Sequence, residues 1–217
     1  MVKNIILSFS IILTQCNSKK SGTNIDIENH QISSLHSSSN RLKDYENIEA
    51  LIEIPAGTVD KWEFDKATGE MSRELINNKP RVIDYLGYPG NYGMIPNTLL
   101  SKENGGDGDP LDVIILGPPA KKGQFLNCKL IGVLHLKDNG ETDDKLIAIS
   151  YNSSLSNVNN IAELNKNYNG ITEIIQLWFT NYKGGNKLKS NGFGEKESAI
   201  NILNNAMKEY QISKKPK

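Results

Sequence analysis

Only two cysteines occur in the 217 residues, Cys16 and Cys128, and they lie far apart in unlike surroundings, so no disulfide framework holds this chain together. The three histidines, His30, His36 and His135, are scattered, which leaves no Cys/His spacing for zinc. Net charge is missing as well. Twenty-five basic residues balance 25 acidic ones, and the chain as a whole lacks the basic footprint of a nucleic-acid binder. No Gly-rich loop ends in Lys-Ser/Thr, which excludes nucleotide binding by that route. No internal repeat is visible, and the apolar run over 5–13 is too short to span a bilayer as a helix. What remains is a chain of one-domain size, whose charge-driven chemistry must come from local clusters.

The strongest such cluster is Asp107-Gly108-Asp109-Pro110-Leu111-Asp112, which runs straight into Val113-Ile114-Ile115-Leu116. Three carboxylates within six residues repel one another, and a folded protein keeps them together only if cations or strong donors neutralise them. Gly108 allows a tight turn, Pro110 fixes φ and removes a donor, and the β-branched run reads as a buried strand. The carboxylates are therefore expected at the mouth of a strand, as a divalent-metal site. The Asp-x-Asp spacing departs from a calcium loop through Pro110 and the missing downstream Gly and Glu.

Residues 1–16 read as a targeting segment, with Lys3 before the apolar run and Leu13-Thr14-Gln15-Cys16 at its end. That ending resembles the lipobox of bacterial lipoproteins, in which the cysteine is lipidated, although Gln15 stands where a small residue is usual; an apolar segment with an incidental cysteine is the other reading. Residues 17–44, rich in Ser and Asn, cannot bury enough surface to offset their ordering entropy and read as a tether. The domain is placed at 45–212.

Within it, Leu51-Ile52-Glu53-Ile54 and Lys61-Trp62-Glu63-Phe64-Asp65 read as strands, the second by alternation that turns Trp62 and Phe64 to the core. Its charged residues line either a polar cavity or a solvated face. Arg81 to Pro96 is dense in Tyr, Gly and Pro, suited to holding tyrosyl hydroxyls around a pocket or to an irregular packed connection. Phe125 to Leu136 is a strand region with Cys128 as a core residue. Asp138 to Lys145 forms a second acidic loop, followed by the strand Leu146 to Ser150. Ile171, Ile174, Ile175, Trp178, Phe179 and Tyr182 recur at helical spacing, ended by Gly184-Gly185, and a second helix covers roughly Glu195 to Tyr210. Short strands followed by two helices, without βαβ alternation, predict a mainly β (α+β) fold: a small β-barrel with helices outside.

Carboxylates beside Lys, Arg and Tyr donors make a site for a polyanion and hard cations, Mg²⁺ or Mn²⁺. Metal-assisted attack of water on a phosphoanhydride fits that set. The order and spacing of Ile52-Glu53-Ile54-Pro55, Tyr88-Pro89-Gly90-Asn91-Tyr92-Gly93, Asp107 to Val113, Asp138 to Lys145 and Tyr182-Lys183 resemble the soluble family I inorganic pyrophosphatases. The resemblance implies a closed OB-like five-stranded barrel with C-terminal helices, Mg²⁺ dependence with several ions per site, pyrophosphate as substrate, and homo-oligomers, hexameric in many bacterial members. By position, Asp109 matches the general base; Asp107, Asp112 and Asp143 match metal ligands; Asp138, with Asp143, matches ligands of a metal entering with substrate; and Glu53 lies where a further metal is approached. Lys61, Tyr92, Lys145, Tyr182 and Lys183 match groups that grip pyrophosphate, and Glu63 a polar site residue. Arg81 resembles the substrate arginine, one residue nearer Tyr88 than in many bacterial members, with Arg73 as the other candidate.

Two other readings remain at this point: a metal-dependent phosphohydrolase acting on nucleotides or polyphosphate, and a non-catalytic polyanion-binding lipoprotein. The amino end implies export and anchoring on the periplasmic side, whereas members of this family are usually cytoplasmic.

Overall fold

A computed structural model describes residue 45 and residues 47–215 apart from 186. The expected signal segment 1–16, the tether 17–44 and Cys16 lie outside the described residues. The long strands are β1 (Ile48–Ile54), β6 (Asn91–Met94), β7 (Asp112–Leu116), β8 (Phe125–Asp138), β10 (Lys145–Ser150) and β11 (Leu188–Glu195). They form one sheet in the order β1-β6-β7-β10-β8-β11, and β1 also pairs with β8, so five strands close into a ring with β11 on its outside edge. All pairings are antiparallel except β7 with β10, which run parallel. Fourteen residues long, β8 serves β1 with its first half and β11 with its second. That double use lets one strand shut the ring and still carry an edge strand.

Both faces of the ring are buried, which is why its strands read as continuous apolar runs. Alternate residues divide between two cores. Val113 and Ile115 join Ala199, Leu203 and Ala206, whereas Ile114 and Leu116 join Ile175, Trp178 and Phe179. The first set of helical residues comes from α3 (Lys196–Ser213), the second from α2 (Ile171–Asn181). Cys128 is fully buried in the first core, and burial pushes its thiol up out of the reactive range.

The sheet-dominated fold agrees with the sequence reading, and three details differ. Three α-helices, not two, stand among the described residues: α1 (Ile161–Asn167) precedes α2, and β11 separates α2 from α3. One paired edge and a single face against the protein account for the polar sequence of β11. On α2, Ile174 and Leu177 point away from the core, 61% and 63% exposed, and the buried stripe runs through Thr172, Ile175, Trp178 and Phe179. Finally, β2 (Trp62–Asp65) pairs only with β3 (Glu70–Arg73), in a hairpin apart from the ring. Trp62 is therefore half-buried between the cations of Arg73 and Lys122 rather than in the core. The polar stretch after Arg73 folds into a second hairpin, β4 (Leu75–Ile76) with β5 (Lys79–Pro80). The remaining short strand, β9 (Glu141–Thr142), extends the end of β8.

Candidate active site

The acidic loop is turned by two devices. Gly108 adopts φ +91°, a left-handed conformation that glycine reaches without strain, and the Asp107 carboxylate accepts the Asp109 N–H at 2.9 Å. Two backbone bonds at 2.8 Å, Gly108 N–H to the Leu100 carbonyl and Leu100 N–H to the Asp109 carbonyl, fasten the loop to the chain before it. Asp107 and Asp109 are thereby held at the surface, and Asp112 opens β7.

The parallel register of β10 against β7 sets Leu146 beside Val113, which brings Lys145 and Asp112 together at the same end of the sheet. The Lys145 ammonium donates to Asp112 and, at 2.7 Å, to Asp143. Alternation then divides the second acidic loop. Asp143 and Lys145 face the cleft, while Asp144 turns away and accepts the Leu136 N–H at 3.0 Å beside the His135 ring at 2.9 Å.

A cavity of about 300 Å³ opens over this end of the ring. Of the residues expected at the site, Glu53, Lys61, Glu63, Arg81, Tyr92, Asp107, Asp109, Asp112, Asp143, Lys145, Tyr182 and Lys183 all line it. Asp138, the last residue of β8, does not; it stands beside the cleft and accepts from Lys183 at 2.5 Å. The two candidate arginines stand differently toward the cavity. Arg81 lines the cavity, whereas Arg73 pairs with Asp60 at 2.9 Å, donates to the Arg81 carbonyl at 3.1 Å and lies over Trp62. The aromatic wall continues into the core, since Tyr182, just past the end of α2, stacks on Trp178 at 4.5 Å and 12°, and Trp178 packs on Tyr88, which packs on Tyr92.

Seven carboxyl groups line the cavity against five cationic side chains. Burial raises Glu53 to about 7, against the pull of Lys61 and of the Phe64 N–H, which it accepts at 2.8 Å. Burial also raises Asp143, with Lys145 opposing. At Asp112 burial acts the same way, but Lys145, Tyr92 and Lys61 outweigh it and hold the carboxyl below its usual range. Lys145, itself buried, is held charged by Asp112 and Asp143. Burial also raises the Tyr88, Tyr92 and Tyr182 hydroxyls, which keeps them protonated and able to donate.

The donors available to a metal are all carboxylate oxygens, which suits hard divalent cations. Among the described residues no three such side chains converge on one point, because Lys145 stands between Asp112 and Asp143, and Lys66 reaches Asp109 at 2.8 Å. The excess of carboxylates nonetheless fits a site completed by cations, since a polyanion entering an acidic cleft requires them.

Two charged lining residues escaped the sequence reading, Lys66 and Glu74. Lys66 follows β2 in an ordinary Asp-Lys-Ala-Thr-Gly turn, and Glu74 sits in the polar stretch that no periodicity resolves. Its one signal was the opposite charge seven residues on, at Arg81.

With this geometry in place, the comparisons with known proteins agree. The inorganic pyrophosphatase family model matches residues 50–211. The inorganic pyrophosphatase of Xylella fastidiosa (strain 9a5c) is 35% identical over 171 residues, covering 76% of this chain and 90% of the relative. That of Helicobacter pylori (strain ATCC 700392 / 26695) is 35% identical over 175 residues, covering 77% and 94%. Among solved structures, an H. pylori inorganic pyrophosphatase superposes with a TM-score of 0.66 at 34% identity, over 77% of this chain and 95% of that one. A truncated vacuolar soluble pyrophosphatase of Trypanosoma cruzi, solved in complex with PPi, gives 0.73 at 27% identity, over 83% and 73%. On sequence, fold and the cleft described above, this chain belongs to the inorganic pyrophosphatase family.

Proposed function

We propose that the protein hydrolyses inorganic pyrophosphate to two orthophosphates with Mg²⁺ in the cleft, and that Asp109 is the general base. The observation that carries this reading is the gathering of Asp107, Asp109, Asp112 and Asp143 in one cavity with Lys61, Arg81, Lys145 and Lys183. Asp107, Asp112 and Asp143 would hold Mg²⁺, with Glu53 beside them and Asp138 joining when substrate enters; Mn²⁺ suits the same oxygen donors. When bound, the ions lower the pKa of water and neutralise phosphate charge.

The chain's own residues supply the rest. Lys61, Arg81, Lys145 and Lys183, with the protonated hydroxyls of Tyr92 and Tyr182, donate to phosphate oxygens and orient the substrate in line. Asp109, at the exposed rim and paired with Lys66, takes a proton from the attacking water. The water oxygen bonds to one phosphorus, the bridging P–O bond breaks, and its electron pair leaves with the second phosphate, whose charge meets the lysines and Arg81. Glu63 pairs with Lys61 at 3.4 Å.

The test is phosphate release from pyrophosphate, tripolyphosphate and ATP, each with Mg²⁺. Two phosphates per pyrophosphate, with little from the others, is the expected result; faster release from ATP or tripolyphosphate would move the chain to a different phosphohydrolase activity.

Two further proposals concern assembly and place. Ile174 and Leu177, three residues apart on α2, are exposed, as is Leu86, whose carbonyl accepts the indole N–H of Trp178 on the same helix, and these apolar residues support a homo-oligomer, with a hexamer as the form the family resemblance suggests. The lipobox-like Leu13-Thr14-Gln15-Cys16 supports export and a lipid anchor at Cys16, with 45–212 as the exported domain. Cell fractionation should find the wild type in membranes and Cys16→Ser released or misprocessed; equal recovery of both in the cytosol would count against export.

A further inference from the structure

Each cation lining the cleft is paired with a carboxylate, and the partner of Arg81 is Glu74. Arg81 is held by one guanidinium nitrogen, Nη1, which donates to both carboxylate oxygens of Glu74 at 2.8 Å each. Both side chains are largely shielded, 22% and 25% exposed, and both line the cavity. Among the described residues the Arg81 side chain makes no other hydrogen bond, so Nη2 and Nε remain for a ligand.

The backbone enforces this pairing. Lys61 N–H donates to the Arg81 carbonyl at 3.2 Å, Glu74 N–H to the Lys61 carbonyl at 3.1 Å, and Arg81 N–H to the Glu74 carbonyl at 2.8 Å. Glu74 and Arg81 thus clasp the base of the β4–β5 hairpin, which turns on Asn77 and Asn78 at φ 52° and 60°, the geometry of a tight two-residue turn. Glu74 cannot drift away when an anion arrives, because its main chain is stitched to that of Arg81 and Lys61.

A phosphoryl group that reaches Arg81 therefore meets a guanidinium already partly neutralised by a fixed carboxylate. We propose that Glu74 is an affinity-setting residue of this site: a built-in competitor that weakens the grip of Arg81 on phosphate, so that product leaves the cleft. This rests on the reading of the cleft as the pyrophosphate site. Two effects oppose each other when the carboxylate is lost, the gain in net positive charge at Arg81 and the loss of the contact that orients it. The first prevails, because the hairpin clasp holds the Arg81 backbone whatever the Glu74 side chain is.

Glu74→Gln keeps one of the two oxygen acceptors for Nη1 and removes the charge; Glu74→Ala, a second variant, removes the acceptors as well. Inhibition by inorganic phosphate and calorimetric titration with phosphate, both with Mg²⁺, are compared in the wild type, Glu74→Gln, Glu74→Ala, Arg81→Ala and the Glu74→Gln/Arg81→Ala double variant. Glu74→Gln should bind phosphate about three- to tenfold more tightly, the span between an exposed and a half-buried ion pair. KM for pyrophosphate should fall with it, and kcat should not rise. With Arg81 already replaced by Ala, the same change should move phosphate affinity by less than about twofold, the additivity expected when the partner is gone. Unchanged or weaker phosphate binding by Glu74→Gln, or an equal gain without Arg81, would overturn the proposal. Tighter phosphate binding by a protein that does not hydrolyse pyrophosphate would sink the functional reading alone, and an active wild type with a flat Glu74→Gln response would sink this inference alone.

Discussion

Glu53 couples the stability of this fold to pH in a way that one substitution isolates. It sits on β1, nearly inaccessible to solvent, accepts the Phe64 N–H, and titrates at about 7 instead of an ordinary 4.5 because burial penalises its charge. A carboxyl that binds its proton more tightly when folded contributes stability fully present below its unfolded pKa, and that contribution is lost as pH rises through the folded value. The separation of the two pKa values corresponds to about 3 kcal/mol, lost at up to about 1.4 kcal/mol per pH unit. Glu53→Gln cannot ionise, yet its amide oxygen can still accept from Phe64. Urea unfolding in EDTA, followed by the fluorescence of Trp62 and Trp178, should show the wild type losing about 2.5 kcal/mol relative to Glu53→Gln between pH 5 and pH 8. Other carboxylates titrate in both proteins and cancel in the difference. Parallel stability curves across that range would refute the reasoning, since they would mean that Glu53 is either ionised throughout or not coupled to folding.

Replacing Lys145 by Met leaves Asp112 and Asp143 facing each other without their shared cation, and without metal it should destabilise the fold by about 3 kcal/mol, partly restored by Mg²⁺; equal urea midpoints for variant and wild type would contradict the buried ion triad. Leu177→Asp, on the exposed face of α2, should lower the oligomeric state seen by sedimentation while leaving the far-ultraviolet circular dichroism unchanged; an unchanged assembly would remove α2 from the interface. Phe179→Ala, in the core beneath the aromatic wall, should cost about 3–5 kcal/mol of stability and raise KM for pyrophosphate through displacement of Tyr182; a loss of stability with KM intact would separate the core from the site.

Much of this arrangement was legible in the sequence because it depends on local rules. The strand after Asp112 announces itself by a β-branched run, the turn before it by Gly108 and Pro110, and α2 by helical spacing. What escaped depends on partners distant in the chain. β11 carries few apolar residues because it packs on one face only, and its place as an edge strand follows from the length of β8, which sequence does not connect to it. Ile174 and Leu177 continue the apolar character of α2 beyond its buried stripe, so helical spacing counts Ile174 with the buried face. Trp62 was assigned to the core by alternation, which holds within β2 but cannot show that the hairpin stands apart from the ring. Where Arg73 and Arg81 stand relative to the cavity depends on a hairpin whose two-residue strands are too short for any periodicity to mark. Glu74 went unseen for the same reason.

The central claim is that a water proton passes to Asp109 while other residues of the cleft hold the metal and the phosphates. The measurement that bears on it most directly is steady-state phosphate release by Asp109→Asn beside the wild type, with Mg²⁺ binding followed by thermal shift in both. Asp109 is exposed and its loop is fastened through backbone bonds to Leu100, so the variant should fold and keep its Mg²⁺-dependent shift. Its turnover should fall by about two orders of magnitude or more, the scale of a lost general base. Turnover near that of the wild type would contradict the account.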